Sequence, residues 1–297
     1  MRGVSTVLES ASAAEARQFA DTVATVVARH ATPDQWQPGA AASDADPALD
    51  RALSEAGWDE LGNDDRLLQF VAPAAAALGR GFASLAPVDR LLGGALRTGE
   101  LARYAVDGGL LVEPRAGRLE LARAGRVAAL PYTDALGVAR VAAGAPRAVT
   151  GAEARTRMAA WAAGSTGYLA GMAEESLRLA LGHARSRRAF GGTLDALEPV
   201  QQMLADAATL VDGLWLLAED LPGLSGSSRL GRLRTDDITE ALAHAGDAAE
   251  RAIAICMQVT GALGFTLEFP LQRAYRRGRA ARAWADAVLL AWAEPAP

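Results

Sequence analysis

The chain of 297 residues is 51% hydrophobic and 22% charged with a formal charge of -5, a globular composition that excludes disorder over most of its length and argues against a nucleic-acid backbone as partner. All 30 basic residues are arginine, which removes lysine Schiff-base chemistry and the phosphate-loop lysine of nucleotide hydrolases. One cysteine and three histidines without shared spacing exclude a disulfide framework and leave the expected metal set at none. No run reaches the ~18–20 apolar residues needed to span a bilayer and the N-terminus carries no signal pattern, so the expectation is a cytoplasmic chain with no membrane span.

In chain order, apolar residues recur at helical intervals from Val7 to His30. A Pro/Gly-rich loop follows up to Pro47, which opens the next helix. Further helices are expected from Pro47 to Gly57, Arg66 to Leu78 and Ala83 to Gly99, so that 1–103 forms an N-terminal helical domain. Between Tyr104 and Ala148 the pattern changes to short apolar pieces cut by glycine and proline, Gly109 to Pro114, Arg118 to Leu121, Val127 to Leu130 and Gly137 to Val141. These read as strands of a reduced β segment over 104–150. Four long helical runs then fill 151–297, at about 153–186, 196–221, 235–261 and 270–293. In the second, Val200, Met203, Leu204, Ala207, Val211, Leu214 and Leu217 form a core-facing stripe. Four long helices on short turns, one of them the Gly/Ser-rich stretch from Pro222 to Gly231, predict a C-terminal four-helix bundle in a mainly α protein.

Two segments carry chemical information. In Ser186-Arg-Arg-Ala-Phe-Gly-Gly-Thr-Leu194 a helix ends on arginines, then an aromatic and two glycines turn the chain. Cations cap a helix C-terminus, but a guanidinium fork beside flexible backbone is also a pyrophosphate site. In Gln258-Val-Thr-Gly-Ala-Leu-Gly-Phe265 a helix stops at Gly261 and a glycine corner leads to Pro270. That reading accounts for the glycines and not for the polar Gln258 at an apolar helix end.

In this order, Arg187-x-x-Phe190-Gly191-x-x-Leu194, Val200-Gln201-x-x-Leu204-Ala205-Asp206 and Gln258-Val259-x-Gly261-x-x-Gly264-Phe265, with Pro270 and Arg276-Arg277, resemble the C-terminal domain of the acyl-CoA dehydrogenases. Gly57-Trp58 and Leu78-Gly79-Arg80 resemble that family's N-terminal helical domain. The resemblance implies an acyl-CoA dehydrogenase-like fold and a flavoprotein with FAD at a subunit interface. Arg187, Phe190, Gly191, Gln258 and Gly261 would then touch the adenosine diphosphate half of a neighbour's FAD. It also implies α,β-dehydrogenation of an acyl-CoA or carrier-bound acyl thioester, with a carboxylate base removing the α-proton.

The sequence departs from that pattern in three places. The family's carboxylate positions fall on Trp161 and Ala285, neither of which takes a proton, and the nearest carboxylate, Asp286, is ~100° around the helix. Val112-Glu-Pro-Arg-Ala-Gly117 is similar to a family flavin loop but runs into Arg118-Leu119 in place of Ser-Asp. Ala262 stands where a second glycine is expected. The expectation is therefore a subunit of a homo- or hetero-oligomer in which a related chain supplies the base. The alternative is a protein of the same fold turned to acyl binding, to a structural role, or to elimination or cyclisation.

Overall fold

A computed structural model describes residues 2–30, 47–130, 136–225 and 235–294. The expected loop from Ala31 to Asp46 and most of the Pro222 to Gly231 connector lie outside the described residues. The first unit comprises α1 (Arg2–His30), α2 (Pro47–Glu55), α3 (Leu68–Arg80) and the short α4 (Ala86–Arg90). Gly57, at a left-handed φ of 91° that a side chain would disfavour, turns the chain after α2 so that Trp58 becomes fully buried. Its Nε1 donates to Pro87 O at 2.7 Å, fixing the entry to α4.

The strands are β1 (Ala95–Thr98), β2 (Leu101–Arg103), β3 (Leu110–Arg115), β4 (Arg118–Ala129), β5 (Val138–Ala143) and β6 (Arg147–Val149). Sheet formation thus starts inside the run from Ala83 to Gly99 that reads as helical. Gly93, at φ 104°, and Gly94 end the helical turn there. Arg118 to Leu121 and Val127 onward, which read as separate pieces, belong to one twelve-residue strand with a register shift between Ala124 and Val127. The strand order is β3-β1-β2-β5-β4-β6, and β3 pairs with β4 as well. Five strands therefore close on themselves and leave no free edge among them. All ladders are antiparallel except β1 with β3. The closed sheet is narrow because its inside is filled by Ala102, Leu111, Ala124 and Val141.

The remaining long helices are α5 (Gly151–Ser186), α6 (Glu198–Ser225), α7 (Thr235–Thr260) and α8 (Leu271–Ala293), with a two-strand turn, β7 (Arg188–Ala189) and β8 (Gly192–Thr193), after α5. These are the four helices of the expected bundle. The 36 residues of α5 span about 54 Å, and every residue from Met158 to Ala173 is buried. Gly167 and Gly171 on α5 meet Ala72 and Ala76 on α3 backbone to backbone, while Gly79 of α3 lies on Tyr168. Small residues let the two helices approach as closely as their main chains allow.

The five arginines of α8 do not form one surface. Arg279 and Arg282 pair with Glu250 of α7 at 3.4 and 2.7 Å. Arg277 is 1% exposed and points inward. It donates to Phe82 O at 2.6 Å, Ala83 O at 2.7 Å and the Tyr168 hydroxyl at 3.1 Å. This joins α8 to the turn between α3 and α4, where Phe82 sits at φ 46°. Arg277→Lys keeps the charge and loses the planar fork, so urea unfolding is expected to show a loss of about 1–3 kcal/mol.

Candidate functional site

The two family base positions meet. Trp161 of α5 and Ala285 of α8 line one small cavity with Leu85, Arg103, Ser165 and Tyr168. Its volume of about 10 Å³ is at the lower limit for one water molecule. No acyl chain has room beside Trp161 in this conformation. The indole is 1% exposed, and its Nε1 donates to Asp89 Oδ1 at 3.2 Å.

Asp89 belongs to a feature that composition and spacing did not single out. Arg103 of β2 makes a two-pronged ion pair with it, Nε to Oδ2 at 2.6 Å and Nη2 to Oδ1 at 2.5 Å, with both side chains 1% exposed. The Trp284 ring lies 5.5 Å from the Arg103 guanidinium carbon, within cation–π range. Burial pushes the Asp89 carboxyl above its ordinary range, while the Arg103 charge and the bonds from Arg103 and Trp161 pull it back. The ionisable groups at this position are thus an ion pair and not a free base, although Arg103 Nη1 is buried without a hydrogen-bond partner. Asp286 is ~100° around α8 from Ala285, half-exposed, with Arg282 Nε at 3.9 Å. It does not line the cavity that Ala285 lines.

The segment similar to a flavin loop is also engaged. Residues 112–117 run through β3 into a tight turn at Ala116 and Gly117, with φ 50° and 69°. The two turn amides donate to Ala291 O at 2.8 Å and Trp292 O at 2.9 Å. They satisfy carbonyls that the C-terminus of α8 would otherwise leave open. Glu113 is held by Arg97 at 3.0 Å and accepts from the Gly99 amide at 3.1 Å.

The opposite situation holds at the far end of the bundle. Arg187 and Gln258 are both exposed, and no ion pair engages Arg187 among the described residues. The His183 and Phe269 rings lie 6.5 Å apart, which brings the end of α5 to the corner between α7 and α8. Burial, then the neighbouring Arg187 charge, lowers the His183 pKa, keeping the imidazole neutral near pH 7. Phe190 is 90% exposed and Gly191 follows it, both with positive φ, 53° and 88°. An aromatic held in a left-handed conformation and open to solvent is strained without an internal packing gain. Gly261 turns α7 into its corner at φ 57°, and Phe265 and Leu267 beyond it are 66% and 59% exposed. The five residues expected to touch a dinucleotide are therefore accessible at one end, whereas the positions expected to hold a base are sealed.

Three other residue groups have plain placements. Cys256 is buried and its thiol is pushed up to about 12 by desolvation, which fits a small core residue rather than a nucleophile. Among the described residues no cluster of His, Cys, Asp and Glu could hold a metal ion. Among the same residues no helix is long and apolar enough to cross a membrane.

Comparison with known proteins bears on the family and the fold. A glutaryl-CoA dehydrogenase of Desulfococcus multivorans is 31% identical over 130 residues, covering 44% of this chain and 32% of the relative. The human mitochondrial short-chain specific acyl-CoA dehydrogenase is 32% identical over 112 residues, covering 37% and 26%. The chain thus matches about a third or less of the length of these curated relatives. Among solved structures, a steroid ACAD variant superposes with TM-score 0.70 at 15% identity over 95% of this chain and 97% of that one. A glutaryl-CoA dehydrogenase in complex with glutaryl-CoA gives 0.66 at 17%, covering 93% and 94%. The ChsE4-ChsE5 complex of Mycobacterium tuberculosis gives 0.64 at 20%, covering 91% and 93%. At these identities the likeness speaks for the fold alone. Residues 136–285, half of the chain, match the family described as acyl-CoA dehydrogenase, C-terminal domain, and the protein belongs to the acyl-CoA dehydrogenase family.

Proposed function

We propose that this chain is a cytoplasmic subunit of a flavin-dependent acyl-CoA dehydrogenase-type assembly and does not dehydrogenate in its own centre. In this reading Arg187, Phe190, Gly191, Gln258 and Gly261 hold the adenosine diphosphate half of a FAD whose ring lies in a related partner chain. FAD supplies hydride acceptance when bound, and the partner supplies the carboxylate that removes the α-proton of an acyl-CoA or carrier-bound thioester. The observation that carries the reading is the contrast between the cavity of about 10 Å³ at Trp161 and Ala285 and the exposed Arg187 and Phe190. The residues present suit a dinucleotide's anionic half, because a guanidinium can fork onto pyrophosphate and Gly191 admits close backbone approach. They do not suit the ring half, since the turn amides of residues 116 and 117 already bond α8.

A second reading, an acyl-binding or structural subunit without flavin, is favoured by that same occupied turn. The visible absorption spectrum separates the two. The chain purified alone is expected to carry little flavin. Co-purified with a full-length relative from the same genome, the assembly is expected to show bound flavin that bleaches on addition of acyl-CoA. A colourless assembly would sink the flavin reading. Within a coloured assembly, Arg187→Ala is expected to weaken FAD retention by about tenfold or more, through loss of a charge-assisted contact. Unchanged retention would remove Arg187 from the site.

A further inference from the structure

A larger pocket of about 770 Å³ opens at the junction between the helical unit and the closed sheet. Its size is that of small-molecule sites. It is not the cavity at Trp161. Asp89 borders the larger pocket, and its partner Arg103 borders the smaller one, so the buried ion pair stands between them. Two glycines shape the pocket floor. Gly93 leaves room for the Arg157 guanidinium, whose Nη1 reaches Leu92 O at 3.3 Å. At Gly94 a Cβ would sit 2.8 Å from Leu110 O.

The wall charges do not cancel. They are Asp50, Asp59 and Asp89 against Arg51, Arg90, Arg123 and Arg157, a surplus of one positive charge. Beyond the wall, Arg103 on Asp89 and Glu153 on Arg157 offset each other. Arg90 bridges Asp50 at 2.6 Å and Asp59 at 3.0 Å. That cluster keeps one net negative charge, so the surplus of one is what Arg51 of α2 and Arg123 of β4, both exposed, leave after offsetting it. Among the described residues neither is in an ion pair, and Arg123 donates only to Gly108 O, at 3.1 Å. Next to them the wall is apolar. Leu110 is the direct cross-strand partner of Arg123, and Leu91, Ala95 and Val106 continue the surface.

We propose that this pocket binds an organic monoanion with an apolar body, its head at Arg51 and Arg123 and its body along Val106 and Leu110. The site is independent of the flavin reading, because none of its residues belongs to the Arg187 end of the bundle. A charged head meets guanidinium groups without a carboxylate to displace, and the body covers surface that is otherwise left to water.

The test uses the full chain and two fluorescent probes of one shape, 1-anilinonaphthalene-8-sulfonate and the uncharged N-phenyl-1-naphthylamine. Saturable sulfonate binding is expected. The double variant Arg51→Gln, Arg123→Gln is expected to weaken the sulfonate by about tenfold and to leave the uncharged probe within about twofold. Leu110→Trp fills the pocket from a half-exposed position and is expected to block both probes, with melting curves confirming that each variant is folded. Arg185→Gln, an exposed change at the far end of α5, is the matched control and is expected to change neither. Absence of saturable sulfonate binding overturns the proposal. So does equal sulfonate affinity in the double variant and wild type, or retention of both probes by folded Leu110→Trp.

Discussion

Replacing Arg103 by Met is expected to lower the unfolding free energy by about 3–5 kcal/mol, because it leaves Asp89 buried without its counter-charge. The two guanidinium bonds to Asp89 vanish together, and the Trp161 bond at 3.2 Å alone remains on the carboxylate. The loss is expected to depend on pH with a definite sign. Asp89 has a folded-state pKa above its unfolded value, chiefly through desolvation. The folded form therefore binds more protons between those two values. Its contribution to stability is present at low pH and is lost as pH rises from the ordinary carboxylate range through the raised value. Without Arg103 the largest opposing influence is gone, so the folded pKa rises further and the window widens. Denaturant titrations of Arg103→Met, run upward in pH from the ordinary carboxylate range, should show a steeper fall than wild type. A pH-independent difference would mean that Asp89 does not carry the effect.

The second large effect is expected at the crossing of α3 and α5. A Cβ on Gly171 would overlap Ala76 O, and one on Gly167 would overlap Ala72 O. The obstacle is helix backbone, which cannot rotate aside as a side chain can. Gly171→Val adds a branched side chain at a fully buried position, so the helices must separate or unwind locally. A loss of at least about 3 kcal/mol follows from overpacking of this kind, read as a lower urea midpoint. Gly182→Val, on the same helix where nothing lies within 4 Å of a new Cβ, should change stability only by the propensity difference, a gain of at most a few tenths of a kcal/mol. A comparable loss at both positions would show that the crossing does not set the result.

Much of the helical architecture could be read from the sequence because its signals are local. The stripe from Val200 to Leu217 and the glycine breaks near Gly191 and Gly261 each lie within a few turns of what they define. The closed sheet was less legible. Two of its four interior residues, Ala102 and Ala124, are alanine, which weakens the β-branched alternation that marks a half-buried strand, and β1 hides in an apolar run that continues from α4. Counting residues placed the base positions at Trp161 and Ala285, but not that they share a cavity, since that contact joins residues more than a hundred positions apart. Asp89 and Arg103, only 14 positions apart, were unreadable for a different reason. A charged residue in isolation looks like surface, and only the fold brings the two together out of solvent.

The turn at Ala116 and Gly117 has one more effect. Its two amides hold the last carbonyls of α8, while Arg277 near the start of that helix holds the turn after α3. The C-terminal helix is thus fastened at one end to the sheet and near the other to the N-terminal helices. A hinge motion that parts sheet from bundle would have to break the hydrogen bonds at both ends of α8 at once, so the three regions are expected to open together, as one cooperative unit, rather than one by one.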